Sequence, residues 1–195
     1  MFSFCNESHK IYQEDYCKYL DLDQGWDNYK LGAIKSGYNS KLSNLWLFKS
    51  GTSSNQTFVI VPSLFNSPAI LFLNRKQNYI EYVKSFGDVY LIEWKETKDT
   101  LKLYDYAKDV AKAVRFVQDR TSTQPNLVGH CIGANIVIFS TFIYNNIKSL
   151  TLLTTPWDYS HFAAPYFLSE ALQIKKAIYG LDTVPKIYIQ MMFFM

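Results

Sequence analysis

Gly129-His130-Cys131-Ile132-Gly133 decides how this chain is read. It has the form Gly-x-nucleophile-x-Gly, with cysteine at the centre. The apolar pair Leu127-Val128 precedes it and a helix-like run from Ala134 to Ile147 follows. Strand, sharp turn and helix form the setting in which a nucleophile is lifted clear of a sheet. Both glycines have a steric reason: the turn needs close backbone approach and unusual dihedrals, which a flanking Cβ obstructs. Cysteine at a helix N-terminus meets orphan N–H groups and the positive end of the macrodipole, which favour the thiolate. The same five residues also suit a buried cysteine at a glycine-flanked strand end, so the surroundings must decide.

Outward from the pentapeptide the pattern is regular. Phe58-Val59-Ile60-Val61 is a continuous apolar, β-branched run stopped by Pro62, the signature of a strand buried on both faces. Val89 to Trp94 is a second such run, Asn126-Leu127-Val128 a third, and Leu150 to Thr154 a fourth, stopped by Pro156. Between the second and third, Leu103, Ala107, Val110, Val114 and Val117 recur at helical spacing. The opposite face, with Lys102, Lys108, Asp109, Lys112 and Asp119, reads as solvated. Asn78 to Ser85 predicts a shorter helix between the first two strands. Strands alternating with helices predict an α/β fold with a mostly parallel sheet and helices on both faces. Residues 1–50 read as an N-terminal extension of weak periodicity, in which Leu42 to Phe48 suits one short helix or an edge element. Residues 51–160 read as the core, and 161–195 as the start of a cap region.

Composition narrows the function classes. The chain has 195 residues, enough for one domain with a core; 48% are hydrophobic, 19% charged and 17% aromatic. The formal net charge is +3 and the lysines are scattered, which argues against nucleic acid as a partner. Three cysteines (Cys5, Cys17 and Cys131) with no CxxC pair argue against a disulfide framework or a zinc site and fit a reducing compartment. Met1 to Leu20 carries Glu7, Glu14 and Asp15 and lacks the basic start and apolar block of a signal peptide. The apolar-rich stretch from Cys131 to Tyr144 is too short to span a bilayer, which takes about 20 residues. The expectation is a soluble cytoplasmic protein.

Four stretches, in order, carry a resemblance: Val61-Pro62-Ser63-Leu64-Phe65-Asn66, Val89-Tyr90-Leu91-Ile92-Glu93-Trp94-Lys95, the pentapeptide itself, and Ser149 to Tyr159 with its Leu-Leu-Thr-Thr-Pro-x-Asp-aromatic segment. The chain resembles an α/β-hydrolase and, more closely, the polyhydroxyalkanoate synthase family, whose nucleophile box is Gly-x-Cys-x-Gly. Thr183-Val184-Pro185 and Gln190 to Phe193 look like that family's cap proline and following helix. The likeness runs from about Phe58 to the C-terminus. It implies polymerisation of 3-hydroxyacyl groups from their coenzyme A thioesters. Cys131 would take the acyl group and pass it to a hydroxyl of the next monomer. The backbone N–H of Ile132, and one from the Ser63-Leu64-Phe65 loop with Leu64 preferred, would hold the oxyanion. Coenzyme A enters only as part of the substrate, and no metal, flavin or nucleotide is implied. The partners implied are 3-hydroxyacyl-CoA, the growing polyester, and a complementing polypeptide or a second copy of the chain.

The resemblance also marks what is missing. A base must reach the thiol and a carboxylate must orient that base. The downstream candidates are Asp158, Asp182 and His161. Asp158 matches a strand-end aspartate that is not the family's catalytic acid, and His161 reads as a surface or loop histidine. His130 reads as a packing residue pointing away from the thiol. The expectation is a synthase incomplete on its C-terminal side, without its acid and base and inactive alone. Two other functions compete: a non-catalytic remnant that binds polymer granules or a synthase, and a small acyl-CoA thioesterase using Cys131 with His161.

Overall fold

In the computed structural model, which describes residues 25–64, 67–72, 76–97 and 99–158, six strands form one sheet. They are β1 (Ile34–Asn39), β2 (Ser43–Phe48), β3 (Thr57–Val61), β4 (Asp88–Trp94), β5 (Asn126–His130) and β6 (Ser149–Leu153), in the order β1-β2-β4-β3-β5-β6. From β4 through β3 and β5 to β6 every pairing is parallel. β2 runs antiparallel to both β1 and β4. Helices among the described residues include α1 (Tyr79–Lys84), α2 (Leu103–Thr121) and α3 (Ile132–Ile143). The chain divides into two units at Thr155 and Pro156, and almost all of the second lies outside the described residues.

The apolar runs become central strands because both their faces are covered. Val59 and Val61 of β3, Tyr90 and Ile92 of β4, and Leu127 of β5 pack under α2 and α3, against Ala107, Val110, Val114, Val117, Ile136 and Val137. The alternate residues Ile60, Val89, Leu91 and Val128 meet Ile80 and Val83 of α1, together with Trp26, Ala69, Leu71 and Phe72. Period-two alternation therefore divides each central strand between two hydrophobic layers. Local signals set the helix ends. The Asn78 side chain accepts from the Glu81 amide at 3.1 Å and caps α1. α2 opens with the Lys102 amide donating to Asp105 at 3.0 Å and ends at Ser122 in the left-handed region, φ 55°.

Four differences from the sequence reading have physical causes. Leu42 to Phe48, read as a short helix or an edge element, contains β2, an interior strand between β1 and β4. The 1–50 segment, read as an extension, thus contributes two strands to the same sheet. Asp109, read as solvated with its neighbours, is 6% exposed. Its carboxylate accepts from Ser43 Oγ at 2.5 Å and Tyr38 Oη at 2.9 Å, tying α2 to the β1–β2 ribbon. Lys102, Lys108, Lys112 and Asp119 are exposed as expected. α3 starts at Ile132, two residues before the expected helical run, and ends at Ile143 rather than Ile147. β6 was expected to be buried on both faces. Among the described strands it pairs only with β5, and Leu150 and Leu152 are 40% and 42% exposed, as suits a sheet edge.

Candidate active site

Cys131 stands where β5 gives way to α3. Its amide donates to the Leu153 carbonyl at 2.9 Å, extending the β5–β6 pairing by one bond. Its carbonyl accepts from the Ala134 amide at 2.8 Å and closes the turn into the helix. Between these bonds the backbone adopts φ 53° and ψ −127°. A side chain at positive φ outside the left-handed helical well costs about 1–3 kcal/mol and persists only where the surroundings enforce it. The surroundings here are two close crossings. A Cβ on Gly129 would lie 2.5 Å from Ala134 Cα and from Val137 Cγ2, so α3 can lie down on β5 only over a glycine. A Cβ on Gly133 would lie 2.3 Å from the Val61 carbonyl oxygen and 2.4 Å from that of Pro62, so the first turn of α3 rests on the end of β3. The Cys131 residue is partly exposed at the tip of this bend.

The neighbouring strand β3 ends beside this bend. Val61, the last residue of β3, is in register with Gly129, one residue before the end of β5. Leu64 follows three residues after Val61, behind the fully buried Ser63. Leu64 and Ile132 pack against the same core layer. Ile132 is the first residue of α3, where helical amides have no partner within the helix. Among the described residues neither the Ile132 nor the Leu64 amide donates a hydrogen bond. Sequence reasoning missed the group that fixes this loop. The Trp94 indole, at the end of β4, donates to the Pro62 carbonyl at 3.0 Å and stands edge-on to Tyr106, with ring centroids 5.3 Å apart. A tryptophan closing a strand next to the proline-stopped one was its only signal.

The remaining expected residues separate. Gly129, Cys131, Ile132 and Gly133 form the bend, Gly133 rests on the end of β3, and Leu64 packs on the same core layer as Ile132. His130 continues the Val128 side of β5, half-buried, and burial holds its imidazole below the ordinary histidine range. Among the described residues its Nδ1 has no hydrogen-bond partner. Asp158 is exposed, while His9, His161 and Asp182, and the Thr183–Pro185 and Gln190–Phe193 segments, lie outside the described residues. Among the described residues no cluster of three His, Cys, Asp or Glu side chains is placed to hold a metal ion. No helix among them is long and apolar enough to cross a membrane.

No family model matches the chain, and no curated protein is similar to it in sequence. Solved structures are similar in fold. A membrane phospholipase A superposes with a TM-score of 0.53 at 10% identity, over 98% of this chain and 69% of its own. The assigned lipase lip1 of Acinetobacter baumannii AYE gives 0.52 at 16% identity, over 90% and 63%. MenH from S. aureus gives 0.50 at 15% identity, over 73% and 54%. The chain thus spans less than two thirds of the length of lip1 and of MenH. At these identities the likeness concerns architecture alone. A mostly parallel sheet, helices on both faces and a strained Gly-x-Cys-x-Gly bend after β5 give this chain the α/β-hydrolase fold.

Proposed function

We propose that the chain is a polyhydroxyalkanoate synthase-like acyltransferase in which Cys131 accepts 3-hydroxyacyl groups from coenzyme A thioesters. One observation carries this reading. The four stretches that resemble the synthase family are spread over about a hundred residues of sequence, yet the strands that carry them, β3, β4, β5 and β6, end at one edge of the sheet. The ends of β3, β4, β5 and β6 lie at the C-terminal edge of adjacent parallel strands, around the Cys131 bend. A chance cysteine would not bring the other three with it.

The Cys131 thiolate attacks the thioester carbonyl carbon, the carbonyl oxygen gains the negative charge, and the Ile132 and Leu64 amides receive it. Collapse breaks the bond to the coenzyme A sulfur. Coenzyme A leaves as a thiolate and is protonated, taking up the equivalent of the proton Cys131 gave up. The hydroxyl of the next 3-hydroxyacyl unit then attacks the enzyme thioester, forming the ester bond and returning the thiol. The general base and its carboxylate come from outside the described residues, from the C-terminal part of this chain, a second copy or a complementing polypeptide.

Parallel incubations with 3-hydroxybutyryl-CoA and p-nitrophenyl butyrate test the reading. Release of coenzyme A thiol with polyester formation supports it, either alone or with an added polypeptide. Hydrolysis of the ester, with no thiol release from 3-hydroxybutyryl-CoA, overturns it in favour of an ester hydrolase.

A second reading rests on a different observation. Phe139, Phe142 and Ile143 of α3, and Leu150 and Leu152 of β6, are exposed large apolar side chains, Phe142 at 82%. Such surface suits adsorption to a hydrophobic polyester. On this reading Cys131→Ala co-sediments with polymer granules as well as the parent does, and failure of both to bind removes it.

A further inference from the structure

Pro62 has no amide proton, so its carbonyl is its one hydrogen-bonding group. It lies just beyond the last ladder residue of β3, and the loop to Leu64 begins there. That single carbonyl is held from two sides. The Trp94 indole N–H donates to it at 3.0 Å, and the first turn of α3 presses on it at the position where Gly133 lacks a side chain. The indole is itself fixed by the edge-on Tyr106 ring and packs on the same core layer as Leu64 and Ile132. Gly133 is the immediate neighbour of Ile132, and one residue, Ser63, separates Pro62 from Leu64. The spacing between the two amides therefore depends on where the Pro62 carbonyl sits.

We infer that Trp94 is a positioning residue for acyl transfer: by holding the Pro62 carbonyl, it sets the Leu64 amide at the distance from the Ile132 amide that an oxyanion requires. This role rests on the acyl-transfer reading above and adds to it a side chain that touches neither the thiol nor the substrate. Preorganised donors work because their geometry is fixed before charge develops. A displacement of about 1 Å at such a site costs on the order of 100-fold in rate. Ordinary thiol alkylation builds no oxyanion and does not use these donors.

The test separates the two reactions. Trp94→Phe keeps an aromatic ring and removes the N–H. Replacing Trp94 with 3-benzothienylalanine keeps the fused-ring shape and deletes the N–H alone, which covers the case where the phenylalanine variant folds poorly. For each protein the rate of Cys131 acylation by 3-hydroxybutyryl-CoA and the rate of its alkylation by iodoacetamide are measured. The expected result is a fall in acylation of about 10- to 100-fold, carried by the maximal rate rather than the half-saturating concentration. Alkylation should stay within about twofold, and hydrogen exchange at the Leu64 amide should be faster. Unchanged acylation in the benzothienyl protein, or acylation and alkylation falling together, overturns the positioning role and leaves the acyltransferase reading intact. Absence of acylation in the parent protein, both alone and with the added polypeptide, overturns both.

Discussion

Gly129 and Ala134 approach so closely that a Cβ on the glycine would stand 2.5 Å from the alanine Cα. This crossing lets α3 begin directly over β5, and the strained dihedrals of Cys131 are its consequence. Gly129→Ala should destabilise the fold by about 2–3 kcal/mol, because the obstruction includes backbone that has nowhere to move. Gly133→Ala meets two carbonyl oxygens and should cost as much. Gly51→Ala, with nothing within 4 Å, should lie within about 1 kcal/mol of the parent. Urea unfolding of the three variants checks the contrast.

Cys131→Gly should raise stability by about 1 kcal/mol. It removes strain of about 1–3 kcal/mol at φ 53°, and the freer unfolded glycine takes back about 0.5–1 kcal/mol. The same variant should lose the thioester reaction of the bend, leaving only the thiols of Cys5 and Cys17. A higher urea midpoint together with no thioester reaction is the expected pair of results, and a lower midpoint would show that the bend is relaxed.

Asp109→Ala should destabilise by about 1.5–3 kcal/mol, since it strands the fully buried Ser43 hydroxyl and removes a charged acceptor from Tyr38. Because the contacts join α2 to β1 and β2, hydrogen exchange in Ile34–Phe48 should rise more than in β5. Equal rises in both would mean that Asp109 supports the whole fold rather than the ribbon.

How much of this was readable in advance depends on where the deciding partners lie. The central strands were legible because burial on both faces demands an unbroken apolar run, and α2 because its core face keeps a helical period. The bend was legible because glycine is the only residue that fits both crossings. β1 and β2 were not. Residues 34–39 are largely exposed, and Ser43–Phe48 mixes polar and apolar residues, so their pairing shows only once β4 is beside them. Asp109 looked like its solvated neighbours because its partners come from 66 and 71 residues away. Trp94 was visible as the end of a strand, but its bond to Pro62 depends on β3 and β4 lying side by side.

The histidine next to the thiol gives the protein an acid-sensitive range. Burial holds His130 below its ordinary value of 6.5, so below that pH the unfolded chain binds a proton the folded chain resists. Stability from this residue is complete above pH 6.5 and is lost as pH falls through 6.5 towards the depressed folded value. Glu93 adds a more acidic range. Burial pushes its carboxyl up, but hydrogen bonds from Lys30, Trp46 and Asn44 and the Lys30 charge outweigh that and hold it below 4.5. Its contribution is present above 4.5 and is lost as pH falls below it. His130→Gln should flatten the first slope and leave the second, as read from urea midpoints across a pH series.

The most direct measurement is the site of acylation. With excess 3-hydroxybutyryl-CoA in alkaline buffer, hydroxide takes the place of the general base, so the reaction reports the bend and its amides alone. Intact mass and peptide mapping should show a single acyl adduct on the peptide containing Cys131, absent from Cys131→Ala. An unmodified Cys131, or adducts confined to Cys5 and Cys17, would contradict the account.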